Sequence, residues 1–160
     1  MNMSPRAQVI SIIIVSFIFG VGYNAVRTEN LSLLYQKPVE RTVEEVDSLL
    51  SETTILSAPE YINLESAKEM YDREIIFIDA RDEEEFAEGH IKGAILAPST
   101  PELVQLTPDR STPIVTYCGG GECDVSMELA VELMDSWDYE RIFVYKGGWP
   151  EWKAAGYPAE

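Results

Sequence analysis

The spacing of apolar and polar positions divides this chain into three stretches. From Ala7 to Val26 no residue carries a charge, and the run centres on Ile12-Ile13-Ile14-Val15 and Phe17-Ile18-Phe19. As a helix it would reach about 30 Å, enough to cross a bilayer. From Arg27 to about Pro59 polar and apolar residues mix, with Val43, Val46, Leu49 and Leu50 at helical spacing beside Glu44, Glu45 and Asp47. That pattern predicts a short amphipathic helix in a solvated juxtamembrane spacer. After Pro59 short apolar runs alternate with helical segments. Strands are expected over Tyr61–Leu64, Ile75–Ile78, the start of Ile91–Leu96, Ile114–Tyr117 and Ile142–Tyr145, and helices over Glu65–Tyr71, Glu83–Glu88 and Ser126–Trp137. Strands separated by helices imply an α/β fold, a mostly parallel central sheet with helices on both faces. The expected organisation is a tail (1–6), a transmembrane anchor (7–26), a spacer (27–59) and one domain (60–160).

The first run has a competing reading as a cleaved signal peptide, with Arg6 as its positive region and Gly20-Val21-Gly22 as a small-residue cleavage site. No A-x-A sequence is present, and Tyr23 and Asn24 resemble interfacial residues closing a span, so an uncleaved single-pass anchor is favoured. The orientation signals conflict. Arg6 flanks one end, while Arg27, Lys37 and Arg41 follow the other and favour the C-terminal part inside. A short cationic head before an apolar run has the shape of an export signal, which leans the domain outside the cytoplasm, on the periplasmic side if the cell is bacterial.

Length and charge narrow the picture further. With 160 residues, one catalytic unit is the ceiling. A hydrophobic share of 46% and a charged share of 25% are those of a globular protein. The formal net charge of -16 repels phosphate backbones, which argues against nucleic acid as a partner.

Both cysteines fall in one short window, so they point to local chemistry rather than a disulfide scaffold. Cys118 follows an apolar strand and precedes Gly119-Gly120-Gly121-Glu122-Cys123-Asp124, after which a helix is expected. In a parallel sheet this puts the thiol at the carboxyl end of a strand and near a helix N-terminus, where ligands bind. The glycines let backbone N–H groups turn inward as a nest for negative charge, and the helix dipole favours thiolate over thiol. The plainer alternative is a tight turn with Cys118 as the small apolar end of its strand.

The segments also resemble the rhodanese family in order and spacing. Ile75 to Pro98, IIFIDARDEEEFAEGHIKGAILAP, is similar to that family's Asp-Ala-Arg, Glu-Phe and Gly-His-Ile-x-Gly-Ala segment. Ile114 to Cys118 resembles the strand leading to its active-site cysteine, and Gly147-Gly148-Trp149-Pro150-Glu151-Trp152 its closing segment. The likeness covers roughly Tyr61 to Glu160. It implies a sulfurtransferase in which Cys118 accepts a sulfane sulfur as a persulfide and passes it to a nucleophile such as a thiol. Gly119, Gly120, Gly121, Glu122 and Cys123 would form the substrate-binding loop, their N–H groups surrounding the terminal sulfur. The implied partners are a small sulfur donor or a persulfidated protein and a possible protein acceptor, with no cofactor. Asp79 and Arg81 read as an ion pair, His90 as a hydrogen-bonded structural residue, and Trp149 and Trp152 as packing.

The departures shape the expectation. The family's loop often carries arginine at the fifth position after the cysteine; here that position is Cys123, and no Lys or Arg lies between Arg110 and Arg141. Glu122 and Asp124 add negative charge, which repels thiosulfate; Asp124 is also a candidate helix N-cap. The loop is expected to run one or two residues longer than usual. Phosphatase and arsenate-reductase chemistry needs arginine where Asp124 stands. Cys123 is either a resolving cysteine for Cys118 or a small residue opening the helix. A rival without catalysis is a membrane-displayed binding module. A zinc site is disfavoured because two cysteines and one histidine supply at most three ligands.

Overall fold

A computed structural model describes residues 4–26, 39–51, 55–97, 105, 109–121 and 123–160. The chain forms two compact units, 1–37 and 38–160. In the first, helix α1 runs Pro5–Val26. Pro5 sits at the first helical position, where its missing N–H costs nothing, and the Ser4 hydroxyl accepts from the N–H of Ala7 at 3.4 Å. Its large side chains face outward, Phe19 being 74% exposed. Pro5–Tyr23 is long and apolar enough to cross a membrane, a test that a signal sequence also passes.

The second unit is built on strands β1 (Glu60–Ile62), β2 (Ile76–Asp79), β3 (Ile95–Leu96), β4 (Ile114–Tyr117) and β5 (Ile142–Tyr145). Their order is β1-β5-β4-β2-β3, and every pairing is parallel. Every residue of β4 and β5 is buried, as continuous apolar runs in the middle of a parallel sheet require. Alternate residues then feed two cores. On one face Phe77, Val115, Tyr117, Phe143 and Tyr145 pack with Trp152 of helix α6 (Gly148–Ala154) and with Ala67 and Met70 of α3 (Leu64–Asp72). On the other, Ile78, Ile114, Ile142 and Val144 pack with Ala130 and Leu133 of α5 (Val125–Trp137). Helices therefore cover both faces, as the alternating pattern implied.

Local chemistry explains where the elements differ from expectation. The first strand stops at Ile62 because the Asn63 side chain accepts from the N–H of Ser66 at 2.9 Å and caps α3. Of the Ile91–Leu96 run only the last two residues pair with β2; Ile91 bridges Ala159 instead, and the N–H of Ala94 closes a turn on the Ile91 carbonyl at 2.9 Å. The spacer also needs correction. Its amphipathic helix, α2 (Val43–Ser51), is not a solvated connector: Val46 is 1% exposed and joins the first core with Leu49 and Leu50 beside it. Arg41 bridges Ile62, and its guanidinium bonds Glu60 at 3.1 Å. Burying one apolar stripe turns this stretch into part of the domain. Arg27 and Lys37 lie outside the described residues.

One ion pair pins the end of β2. Arg81 Nε and Nη2 donate to the Asp79 carboxylate at 3.0 and 2.6 Å, the Arg81 N–H adds a bond at 3.0 Å, and Nη2 also reaches the Gly89 carbonyl at 2.9 Å. Both side chains are buried. His90, next in line, stacks on Phe86 with ring centroids 3.6 Å apart and exchanges main-chain bonds with Glu160 at 2.8 and 3.1 Å, the structural role expected of it. Helix α4 (Glu83–Glu88) between them buries no side chain and starts on the Asp82 carboxylate, which accepts from Glu85 N–H at 2.8 Å. Replacing Arg81 with Met should leave the Asp79 carboxylate buried without its partner and cost about 3–5 kcal/mol. Urea unfolding of the full chain in detergent, followed by tryptophan fluorescence, measures it; an unchanged midpoint would remove the pair from the structure's supports.

Candidate functional site

The site begins with how β4 ends. Thr116, buried in the central strand, donates to the Ser126 carbonyl at 2.9 Å and so ties the first turn of α5 to the strand. Between these two anchors the chain must reverse within a few residues. Gly120 and Gly121 do this with φ of +75° and +66°, left-handed values that glycine adopts at least cost, and the N–H of Cys123 closes the turn on the Gly120 carbonyl at 3.2 Å. Cys118, the first residue after the strand, is thereby held at the N-terminal end of a 13-residue helix.

A second turn locks the loop from outside. The N–H of Trp149 donates to the Cys118 carbonyl at 2.9 Å. A Cβ on Gly148, whose φ is +60°, would fall on that same carbonyl oxygen and 2.7 Å from the Gly120 nitrogen; one on Gly120 would strike the Gly147 carbonyl. The glycines of the closing segment are therefore required by close backbone contact. Glu151 anchors α6 behind them, accepting from the Tyr145 hydroxyl at 2.9 Å.

Cys118 is 1% exposed. Its sulfur donates to the Cys123 carbonyl at 3.3 Å and accepts from the Ser126 hydroxyl at 3.4 Å. Both cysteines are free thiols. Burial first, and then the neighbouring Cys118 side chain, push the Cys123 thiol up from its ordinary value, while the backbone N–H groups of Val125 and Gly119 pull it down. In the expected arrangement the loop N–H groups surround sulfur carried on Cys118. Here, with both thiols free, the N–H of Cys123 is used in the turn.

The remaining expected residues sort as follows. Gly119, Gly120 and Gly121 form the turn; Glu122 lies outside the described residues. Asp124 takes the N-cap position, but its side chain makes no capping bond; its carbonyl accepts from Met127 and Glu128 at 2.9 Å. The nearest cation in sequence after the loop, apart from Arg141, is Lys146, which directs Nζ over the Tyr61 ring at 5.5 Å. Trp152 is buried, its indole N–H on the Pro158 carbonyl at 2.8 Å, and Trp149 lies 5.6 Å over the Arg81 guanidinium, so both pack. Ser126 is the residue that sequence reading missed. A hydroxyl in the first turn of the helix after the cysteine loop was its one available signal.

A parallel α/β sheet that delivers a cysteine into a glycine turn at a helix N-terminus defines a class of thiol-bearing domains. A family model for the rhodanese-like domain matches residues 63–155. The chain belongs to the rhodanese-like domain family. It is similar to the HTH-type transcriptional regulator Rv0324 of Mycobacterium tuberculosis, 34% identical over 91 residues, covering 54% of this chain and 38% of that protein. The chain thus spans well under half the length of that curated relative. Among solved structures it is similar to the rhodanese-like domain of the Alr3790 protein from Anabaena sp., with 26% identity, a TM-score of 0.52, and coverage of 66% of this chain and 80% of that one. The thiosulfate sulfurtransferase from Pseudomonas aeruginosa shares the fold at 21% identity and a TM-score of 0.55, covering 74% of this chain and 22% of that one.

The geometry makes two predictions. Gly148→Ala should lower stability by about 2 kcal/mol or more, because strain at positive φ adds to the clash, whereas Gly119→Ala, with nothing within 4 Å of the added methyl, should change it little; urea midpoints compare the two. Ser126→Ala should slow alkylation of Cys118 by iodoacetamide at neutral pH roughly tenfold, by removing a hydrogen bond to the reacting sulfur. Peptide-resolved mass spectrometry reads this, and an unchanged rate would leave Ser126 with packing alone.

Proposed function

We propose that this chain is a membrane-tethered sulfurtransferase that carries sulfane sulfur as a persulfide on Cys118 and passes it to a thiol or another nucleophilic acceptor. The observation that carries the reading is the setting of Cys118: a thiol at the end of the central strand, against the Ser126 hydroxyl, at the N-terminus of α5. The hydroxyl and the helix dipole both favour negative charge on the attacking sulfur. Membership of the rhodanese-like family supports the same chemistry. Helix α1 supports the tether, and the export-signal shape of its N-terminal flank supports a domain outside the cytoplasm.

The acidic surroundings decide the donor class. Asp124 and Glu128 are exposed beside the loop, and the chain carries a net charge of -16. Dianionic thiosulfate meets repulsion with no loop cation to offset it. The donor is therefore neutral, a small persulfide, or a persulfidated protein that brings its own contacts. The contact of the Cys118 sulfur with the Cys123 carbonyl at 3.3 Å favours a second reading, in which Cys118 and Cys123 work as a thiol–disulfide pair.

Treatment with a low-molecular-weight persulfide should add one sulfur atom, roughly 32 Da, to the protein at early times. Cys118→Ser should abolish the gain and Cys123→Ser should keep it, while thiosulfate should act far more slowly on either. If intact mass spectrometry shows no uptake from thiosulfate, polysulfide or a persulfidated protein, catalysis gives way to a membrane-displayed binding module.

A further inference from the structure

We propose that Cys123 resolves the Cys118 persulfide inside the loop, releasing hydrosulfide and leaving a Cys118–Cys123 disulfide, so that the chain reduces sulfane sulfur with electrons from an external dithiol. The inference rests on the sulfurtransferase reading above and names the next acceptor at that site.

Three observations carry it. First, the acceptor is already in place. The Cys118 sulfur lies 3.3 Å from the Cys123 carbonyl, so the two residues touch within the loop. An attack between groups so held avoids the entropic cost of recruiting a second molecule. Second, access favours the internal thiol. Cys118 is buried whereas Cys123 is partly exposed, so an outside nucleophile meets residue 123 first. Third, the charge around the loop turns away anionic acceptors such as sulfite.

The step balances without an added oxidant. The Cys123 sulfur attacks the Cys118 sulfur, the S–S bond of the persulfide breaks, and a new S–S bond joins the two cysteines. The departing hydrosulfide takes the proton that Cys123 held and leaves as hydrogen sulfide. The sulfane sulfur is reduced to sulfide, and the two cysteine sulfurs are oxidised to the disulfide. The turn at Gly119, Gly120 and Gly121 gives the backbone the freedom to close the bridge. A dithiol then attacks the more exposed Cys123 sulfur and restores both thiols.

The test uses the full chain in detergent, reduced and then freed of reductant without oxygen, with one equivalent of a low-molecular-weight persulfide as donor. Wild type should show the gain of roughly 32 Da only transiently, settle about 2 Da below the two-thiol mass, and release about one hydrosulfide per chain. Added dithiol should make the release catalytic. Cys123→Ser, and Cys123→Ala as a second variant, should hold the added sulfur and release hydrosulfide at roughly a tenth of the wild-type rate or less. Wild type that keeps its added sulfur as long as the variants, or variants that release hydrosulfide at the wild-type rate, would overturn the resolving role and leave the sulfurtransferase reading standing. No sulfur uptake by any form would sink both.

Discussion

Two stretches of main chain meet in this domain without a side chain between them, and much of the structure hangs on that meeting. The Gly147–Gly148 turn lies directly on Cys118 and Gly120, and Trp149 donates to the Cys118 carbonyl at 2.9 Å. From there Trp152 reaches into the first core, where Phe77 and Tyr145 ring it edge-on or tilted. Trp149 covers the Arg81 guanidinium, which holds Asp79 and the Gly89 carbonyl. The closing segment thus connects the cysteine loop to the end of β2, and its own contact with the loop is too close to admit a Cβ. Glycine there is a condition of the loop's position, while the glycines within the loop are a condition of its reversal.

The chemistry of the loop follows from which charges are present and which are not. Backbone N–H groups, a helix N-terminus and one buried hydroxyl offer stabilisation to sulfur without any full positive charge. Outside, Asp124 and Glu128 are exposed, and the chain is strongly acidic. In the sulfurtransferase reading proposed above, such a site suits neutral donors and thiol acceptors better than oxyanions. The second cysteine stands where a cation is common in the family, so the same position that lacks a positive charge places a second thiol beside Cys118.

Much of this was legible in the residues because it depends on local pattern. The continuous apolar runs at Ile114–Tyr117 and Ile142–Tyr145 pointed to buried strands, and the family resemblance implied the Asp79–Arg81 ion pair. Cys118 after such a strand, before three glycines, announced a tight turn at the strand's end. The amphipathic spacing of Val43, Val46, Leu49 and Leu50 likewise revealed a helix. What covers its apolar face is a long-range matter, and only the packed Val46 made it part of the domain.

The site divides along the same line. Sequence alone determined the cysteine at the end of its strand, its glycine turn, the loop without a cation and the second thiol, because each is a residue type at a short spacing. Tertiary structure alone decided that Ser126 donates to Cys118, that the Cys118 sulfur meets the Cys123 carbonyl, and that Gly148 rests on the Cys118 carbonyl. Those relations join residues whose separation along the chain says nothing of their distance in space. The direction of a side chain, and which backbone group it consumes, is settled only when helix, strand and turn are packed together.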